Sequence, residues 1–340
     1  MSTSTATPLL ARPGAVEGHG ADSGVAAHYG DPAREQRLLA EGLATVDLSH
    51  RGVVTVSGPD RLSWLHSLTT QHLLGLGQRE SRESLVLSPK GHIEHALHLV
   101  DDGVTTWVTV EPGTAPALLA WLESMRFMLR VEVADVTAEW AVLGEPLGSE
   151  SAAGEPLAWV DPWPGLVGDT TAYGPVDGHP AEGRRWRELI VPRDGIADAV
   201  GDRPLAGTWA AEALRVAAWR PRLGFETDHR TIPHELDWLR TAVHLHKGCY
   251  RGQETIARVH NLGRPPRRLV FLHLDGSGHV LPEVGAGVVV AGREVGRVTS
   301  VARHYEDGPV ALAVIKRSVP EDVDLLVDGI AAAQTVVVTG

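Results

Sequence analysis

Apolar residues recur along this chain with two different periods, and the two kinds of block alternate. Residues 35–42 predict a short helix ending at a glycine, and 52–57 (Gly-Val-Val-Thr-Val-Ser) predict a strand. Gly58-Pro59-Asp60 reads as a turn whose aspartate can cap the following helix, where Leu62, Leu65 and Leu68 share one face with Trp64 nearby. Strands are then predicted at 84–88, 93–100 and 104–110, separated by turns at 89–92 and Asp101-Asp102-Gly103. An amphipathic helix over 115–127 leads to an alternating strand over 129–133. A Gly/Pro/Glu/Ser-rich stretch, 144–156, reads as a loop. Beyond it the pattern predicts strand 186–192, helix 209–219 and a helical segment 235–246.

The texture changes after Pro265-Pro266, which read as a hinge. Short β segments at 269–274, 287–290, 294–301, 310–315 and 335–338, spaced by turns, predict a small barrel or sandwich. The opening residues are rich in Ser, Thr, Ala and Gly and lack a signal-peptide h-region, so 1–27 reads as a disordered tail. The expectation is therefore an α+β chain, with a mixed body over 28–263 and a β-rich module over 264–340.

Composition narrows the function classes. With 43% hydrophobic and 22% charged residues in 340, the chain has the make-up of a soluble globular protein of two or three domains. The 31 basic and 43 acidic residues give a net charge of −12, which repels nucleic acid and anionic membranes in general. An RNA contact would need a local basic patch, and the best candidate is Arg264-Pro265-Pro266-Arg267-Arg268; such a short run is more often solvated surface, so no direct nucleic-acid binding is expected. No apolar stretch reaches the roughly 18 residues needed to span a bilayer, so no membrane association is expected either. Cys249 is the single cysteine, which excludes an internal disulfide framework and a Cys₄ cluster within one chain and suits a cytoplasmic location. The 17 histidines include His92, His95, His98, His244 and His246, but their spacing fits surface or hydrogen-bonding roles better than a metal site.

The candidate chemistry centres on residues 247–254, Lys-Gly-Cys-Tyr-Arg-Gly-Gln-Glu. Lys247 and Arg251 flank the thiol of Cys249, and nearby cations favour thiolate over thiol. Gly248 and Gly252 leave room for a partner or ligand, and Gln253 and Glu254 can orient neighbouring groups. The bland alternative is that a lone cysteine is a small buried hydrophobe.

This octapeptide, continuing Thr255-Ile256-Ala257-Arg258, resembles the signature of the YgfZ-type folate-binding proteins. These are relatives of the glycine-cleavage T-protein (GcvT) that are linked to iron–sulfur cluster maintenance and tRNA modification, and the resemblance extends over residues 28–338. It implies a ring of three lobes around a central channel that can hold folate, with residues 28–263 supplying two lobes and 264–340 a C-terminal β-barrel. It also implies that Cys249 ligates or relays iron–sulfur species, or forms a transient mixed disulfide, with Lys247 and Arg251 at its side. One thiolate cannot hold a cluster alone, so a partner or second subunit would supply further ligands. The implied partners are iron–sulfur assembly or client proteins, and the implied cofactors are tetrahydrofolate and a transient iron–sulfur cluster.

Glu188, in Glu-Leu-Ile-Val-Pro (188–192), resembles the T-protein glutamate that hydrogen-bonds the pterin, and a carboxylate can accept two N–H donors from that ring edge. Arg215 is a candidate for a folate carboxylate, Trp209 for stacking and Gln253 for a further contact. Asp228 and Pro233-His234-Glu235 echo family positions before the cysteine motif. One departure separates the relatives. Aminomethyltransferases carry an acidic pair in the strand after the first glycine turn, and here those positions fall on His95 and Ala96, with Glu94 displaced by one residue. Alanine cannot exchange a proton with the folate amine, which favours an accessory factor that supports tRNA modification indirectly. The alternative is a folate-dependent aminomethyltransferase of the glycine-cleavage type.

Overall fold

The computed structural model describes residues 7–147 and 156–339. The chain divides into two compact units, each assembled from separated stretches of sequence. The first takes residues up to Val86, 95–162 and 184–211; the second takes 87–94, 163–183 and everything from Glu212 on.

The first unit holds two five-stranded sheets. In one, strands run in the order Ser81–Leu87, Ile93–Asp101, Thr105–Val110, Gly52–Ser57, Glu132–Asp135. Its inward face meets the helices Arg61–Leu68 and Ala115–Met125, burying Val54, Leu65, Leu97, Val108, Leu118 and Leu122 together. The alternation of β-branched residues with polar ones therefore lands as the sequence pattern requires. The other sheet runs Leu157–Val160, Trp186–Pro192, Trp140–Pro146, Thr45–Asp47, Leu205–Ala206, with only the last pair parallel.

The second unit ends in a closed six-stranded barrel. Its strands, in order around the wall, are Arg267–Leu274, Gly308–Lys316, Arg293–His304, Gly287–Val290, Leu325–Val327 and Ile330–Val336, the last pairing back onto the first. Closure removes the exposed strand edges that a short, apolar sheet would otherwise present. Val270, Leu272, Val298, Ala313 and Ile315 fill the interior.

Several expectations are corrected. Residues 7–27, expected to be a disordered tail, are ordered: a 3₁₀ turn Pro8–Ala11 seats Leu9, 1% exposed, among Ala141, Leu143, Leu189 and Val191. Val16–Glu17 then pairs with Ala26–His28. One deeply buried leucine and a short hairpin are enough to fix a segment whose composition is polar, because anchoring depends on a few contacts and not on average hydropathy. Residues 1–6 lie outside the described residues. The expected 144–156 loop begins later, since Gly144 to Pro146 finish a strand; residues 148–155 are outside the described set. A Cβ at Gly144 would stand 2.4 Å from the Trp186 ring, so this glycine serves close strand packing. The expected helix 235–246 is a 3₁₀ turn, Pro233–Leu236, and a short helix, Leu239–Ala242, parted by Asp237 at φ 55°. Unanticipated helix Gln253–Leu262 begins inside the cysteine motif itself.

Candidate functional site

The cysteine loop lies in the second unit. Cys249 is exposed, so the sulfur is open to solvent. Its neighbours are occupied differently than the sequence suggests. Lys247 is only 8% exposed, its Nζ lies 5.1 Å from the centre of the Tyr250 ring, and burial pushes its pKa down to about 7. Arg251 donates from Nη1 to Glu94 Oε2 at 3.0 Å. Of the two cations expected to serve the thiolate, one titrates near neutrality and the other is engaged by a carboxylate. Burial also pushes the Tyr250 phenol up.

The motif's glycines have an internal purpose. Gly252 sits at φ 85°, and a Cβ there would stand 2.6 Å from the Ser88 carbonyl oxygen and 3.0 Å from the Gly91 Cα. Reciprocally, Gly91 at φ 77° would push a Cβ to 2.6 Å from the Thr255 Cβ. The close approach that Gly252 permits is therefore to the chain's own 87–94 hairpin, and the expectation that it makes room for a ligand is corrected. Gly248, at φ 96°, has nothing within 4 Å of such a Cβ and keeps that room. Gln253, half-buried, opens the helix with its N–H donating to the Tyr250 carbonyl at 3.2 Å, and Glu254 in the first turn suits the helix's positive end.

Glu188 lies in the first unit, 2% exposed. Its Oε1 accepts from Arg51 Nη1 at 2.7 Å, and its Oε2 accepts from the Thr109 hydroxyl at 3.0 Å and meets His98 Nδ1 at 3.0 Å. A carboxylate accepts only, so this geometry puts a proton on Nδ1. Burial by itself raises the Glu188 pKa, but the Arg51 and His98 charges outweigh it and hold the carboxyl well below the ordinary range. Arg51 also reaches Glu111 at 3.2 Å, and His98 stacks on Trp159 with centroids 3.7 Å apart. Glu188 is thus a buried carboxylate held ionised at neutral pH by its partners, with both oxygens engaged.

Arg215 is differently placed, in the second unit and 7% exposed. Its Nε bonds Glu212, one Nη bonds the Arg220 carbonyl and Glu226, and the other bonds Glu212 and Ser300. All five N–H donors are used inside the protein, leaving none for a folate carboxylate. Trp209 is 55% exposed, 5.0 Å from the His28 ring, and lines a recess of about 200 Å³ with Val16, Glu17, His19, Asp22 and Thr208. That recess shares no residue with the Glu188 cluster. Ala96 is 6% exposed in the strand Ile93–Asp101, and half-buried His95, its pKa lowered by burial, keeps an unpartnered Nδ1. Among the described residues no group of three or more His, Cys, Asp or Glu side chains could hold a metal ion, and no helix is long and apolar enough to cross a membrane.

Sequence reasoning missed Glu94, Arg51, His98 and Trp159 as partners. Arg51 and Glu188 are 137 positions apart, and no local pattern links them. Glu94 and Arg251 are 157 positions apart, so no local pattern links them either.

The aminomethyltransferase of Rubrobacter xylanophilus is 30% identical over 294 residues, covering 80% of this chain and 75% of that protein. The chain belongs to the aminomethyltransferase family. The aminomethyltransferase of Symbiobacterium thermophilum is 26% identical over 305 residues, spanning 80% of this chain and 78% of its own. A protein of Arabidopsis thaliana described as a chloroplastic transferase is 26% identical over 305 residues; the alignment takes in 82% of this chain and 66% of the plant protein. No family model matches. Among solved structures, glycine cleavage system aminomethyltransferase T from Bartonella henselae superposes with a TM-score of 0.75 at 20% identity, over 96% of this chain and 94% of that one. The α+β fold with its C-terminal barrel is thus an aminomethyltransferase-like fold.

Proposed function

We propose that this family member is a folate-binding accessory protein of the YgfZ type, which supports assembly or repair of iron–sulfur enzymes and, through them, tRNA modification. The observation that carries the reading is the exposed Cys249 thiol, held out from a loop that Gly252 pins to the 87–94 hairpin. A packing role for the cysteine would have buried it. The thiol would act in exchange with a partner's cluster or disulfide, the partner supplying the remaining ligands. The iron–sulfur species is cargo in this reading, and the place of work is the cytoplasm.

Tetrahydrofolate fits these residues in part. Glu188, 2% exposed with both oxygens engaged by Arg51, Thr109 and His98, would have to exchange one of these partners to accept from the pterin edge. Arg215 has no donor to offer the glutamyl end, so that contact would have to come from another residue. Trp209 and Gln253 remain candidate contacts by side-chain type alone, as a stacking aromatic and a hydrogen-bonding amide, and the recess that Trp209 lines shares no residue with the Glu188 cluster.

Aminomethyl transfer is the second reading, favoured by the relatives' names. Against it stands Ala96, apolar and buried at the position where a transferase keeps its proton-handling carboxylate. Incubation with tetrahydrofolate and an aminomethyl donor separates the two: we expect folate binding by calorimetry without methylene-tetrahydrofolate. Turnover would defeat the accessory reading, and absence of any folate heat would defeat both.

A further inference from the structure

Where the barrel strand Arg267–Leu274 begins and Gly308–Lys316 ends, the second unit gathers cations. Arg267 pairs in register with Lys316, and the Arg317 N–H donates to the Pro266 carbonyl at 3.0 Å. Residues 266–267 and 316–317 therefore lie together at one end of the barrel, with Arg264 two residues before them.

Arg267 is matched by Asp228 and Glu235, each at 2.7 Å. The other guanidinium groups are not so balanced. Arg268, 4% exposed, donates to the Val319 carbonyl at 2.9 Å, yet its Nε is buried with no partner. Among the described residues its carboxylate contact is Glu321, 3.4 Å away on a side chain that is 62% exposed. Arg317 spends Nη2 on the Thr339 carbonyl at 3.3 Å, and its Nη1 is likewise buried with no partner. Arg264 is exposed and close enough to Arg317 to disfavour its charge, as Arg317 does that of Arg268. The Tyr173 hydroxyl is also within electrostatic reach of Arg317.

Three like charges with two orphaned donors make a costly arrangement unless something anionic completes it. Among the described residues the trio faces one mostly solvated carboxylate, Glu321, which leaves an excess of about two positive charges. A monoanionic carboxylate would cancel only half of that. A phosphate dianion cancels it, and its tetrahedral oxygens can meet guanidinium groups that approach from different directions.

We propose that Arg264, Arg268 and Arg317, with the Tyr173 hydroxyl, form a binding seat for a phosphate dianion borne by a small molecule. The overall charge of −12 opposes a long nucleic-acid strand but scarcely affects one phosphate at a local cluster. The proposal is independent of the folate and iron–sulfur reading.

The test is calorimetric titration of the full chain with inorganic phosphate, at constant ionic strength in chloride buffer. Saturable one-to-one binding is expected, weakened at least tenfold in Arg264→Gln and in Arg317→Gln and unchanged in Arg34→Gln, an exposed control in the first unit. Melting curves guard against misfolding: exposed Arg264→Gln should melt like the parent without phosphate and lose only the phosphate-dependent rise. Absence of binding, or equal binding by all variants, overturns the proposal. A single-stranded RNA arm completes the test: RNA binding far tighter than phosphate, lost in the same variants, would replace the small molecule with a nucleic acid.

Discussion

Cys249 separates a reactive role from a packing one at the scale of a single side chain. Its exposure means that Cys249→Ser removes almost no buried contact, so the unfolding free energy should change by less than about 0.5 kcal/mol in urea titrations. The same variant should fail to restore activity of dependent iron–sulfur enzymes in cells that lack the parent protein. A loss of several kcal/mol, on the order of a damaged core site, would return the cysteine to a structural role. The presence of a reachable thiol was legible in the motif. The state of its neighbours was not, because the burial of Lys247 over Tyr250 and the pairing of Arg251 with Glu94, 157 positions away, depend on how a loop folds onto a hairpin remote in sequence.

Among the elements, the best-read segments were those with long, regular periodicity: strand Gly52–Ser57, helix Arg61–Leu68 and the barrel strand Arg267–Leu274 all lie where the apolar pattern places them. What escaped was set by tertiary contacts. Asp237 in a left-handed conformation cuts an apolar run into two short turns, and Leu9 anchors a segment of polar composition. The helix Gln253–Leu262 went unnoticed because its start is defined by Gly252, whose conformation answers to the 87–94 hairpin and not to its neighbours in sequence. Gly252→Ala makes that dependence measurable. The new methyl group meets backbone at 2.6 Å in a left-handed residue, so it should cost about 1–3 kcal/mol, read as a lower urea midpoint with unchanged slope. Gly248→Ala, with open space around it, carries only the backbone part of that cost.

For the molecule as a whole, the buried charges set the response to acid. Glu188 in the first unit and Asp228 in the second are both buried enough for desolvation to raise their pKa values, and in both their arginine partners win and hold the carboxyls low. Unfolded, such groups titrate near pH 4. Their contribution is therefore complete above that range and fades as pH falls towards the folded values, since the unfolded chain then binds more protons. Asp237 works the other way: burial raises it to about 6 despite Arg240 beside it, so between about pH 4 and 6 the folded state holds a proton that the unfolded state has released. Arg51→Met tests the Glu188 part, with the half-buried Glu111 losing the same partner. Leaving that buried carboxylate with only His98 and Thr109 should cost about 3–5 kcal/mol at pH 7, and the deficit should shrink at pH 3 as Glu188 takes up a proton. A deficit that stays constant across this range would mean that Arg51 contributes packing and not charge.

The interlock between residues 88–91 and 252–255 has an evolutionary side. Two stretches separated by most of a domain in sequence behave as a single heritable surface, so whether a side chain is tolerated on one depends on what its counterpart has become. A lineage could lose the thiol and keep this joint, or enlarge one glycine only after trimming the threonine opposite. Drift in the hairpin thus bears directly on whether the sulfur is still presented.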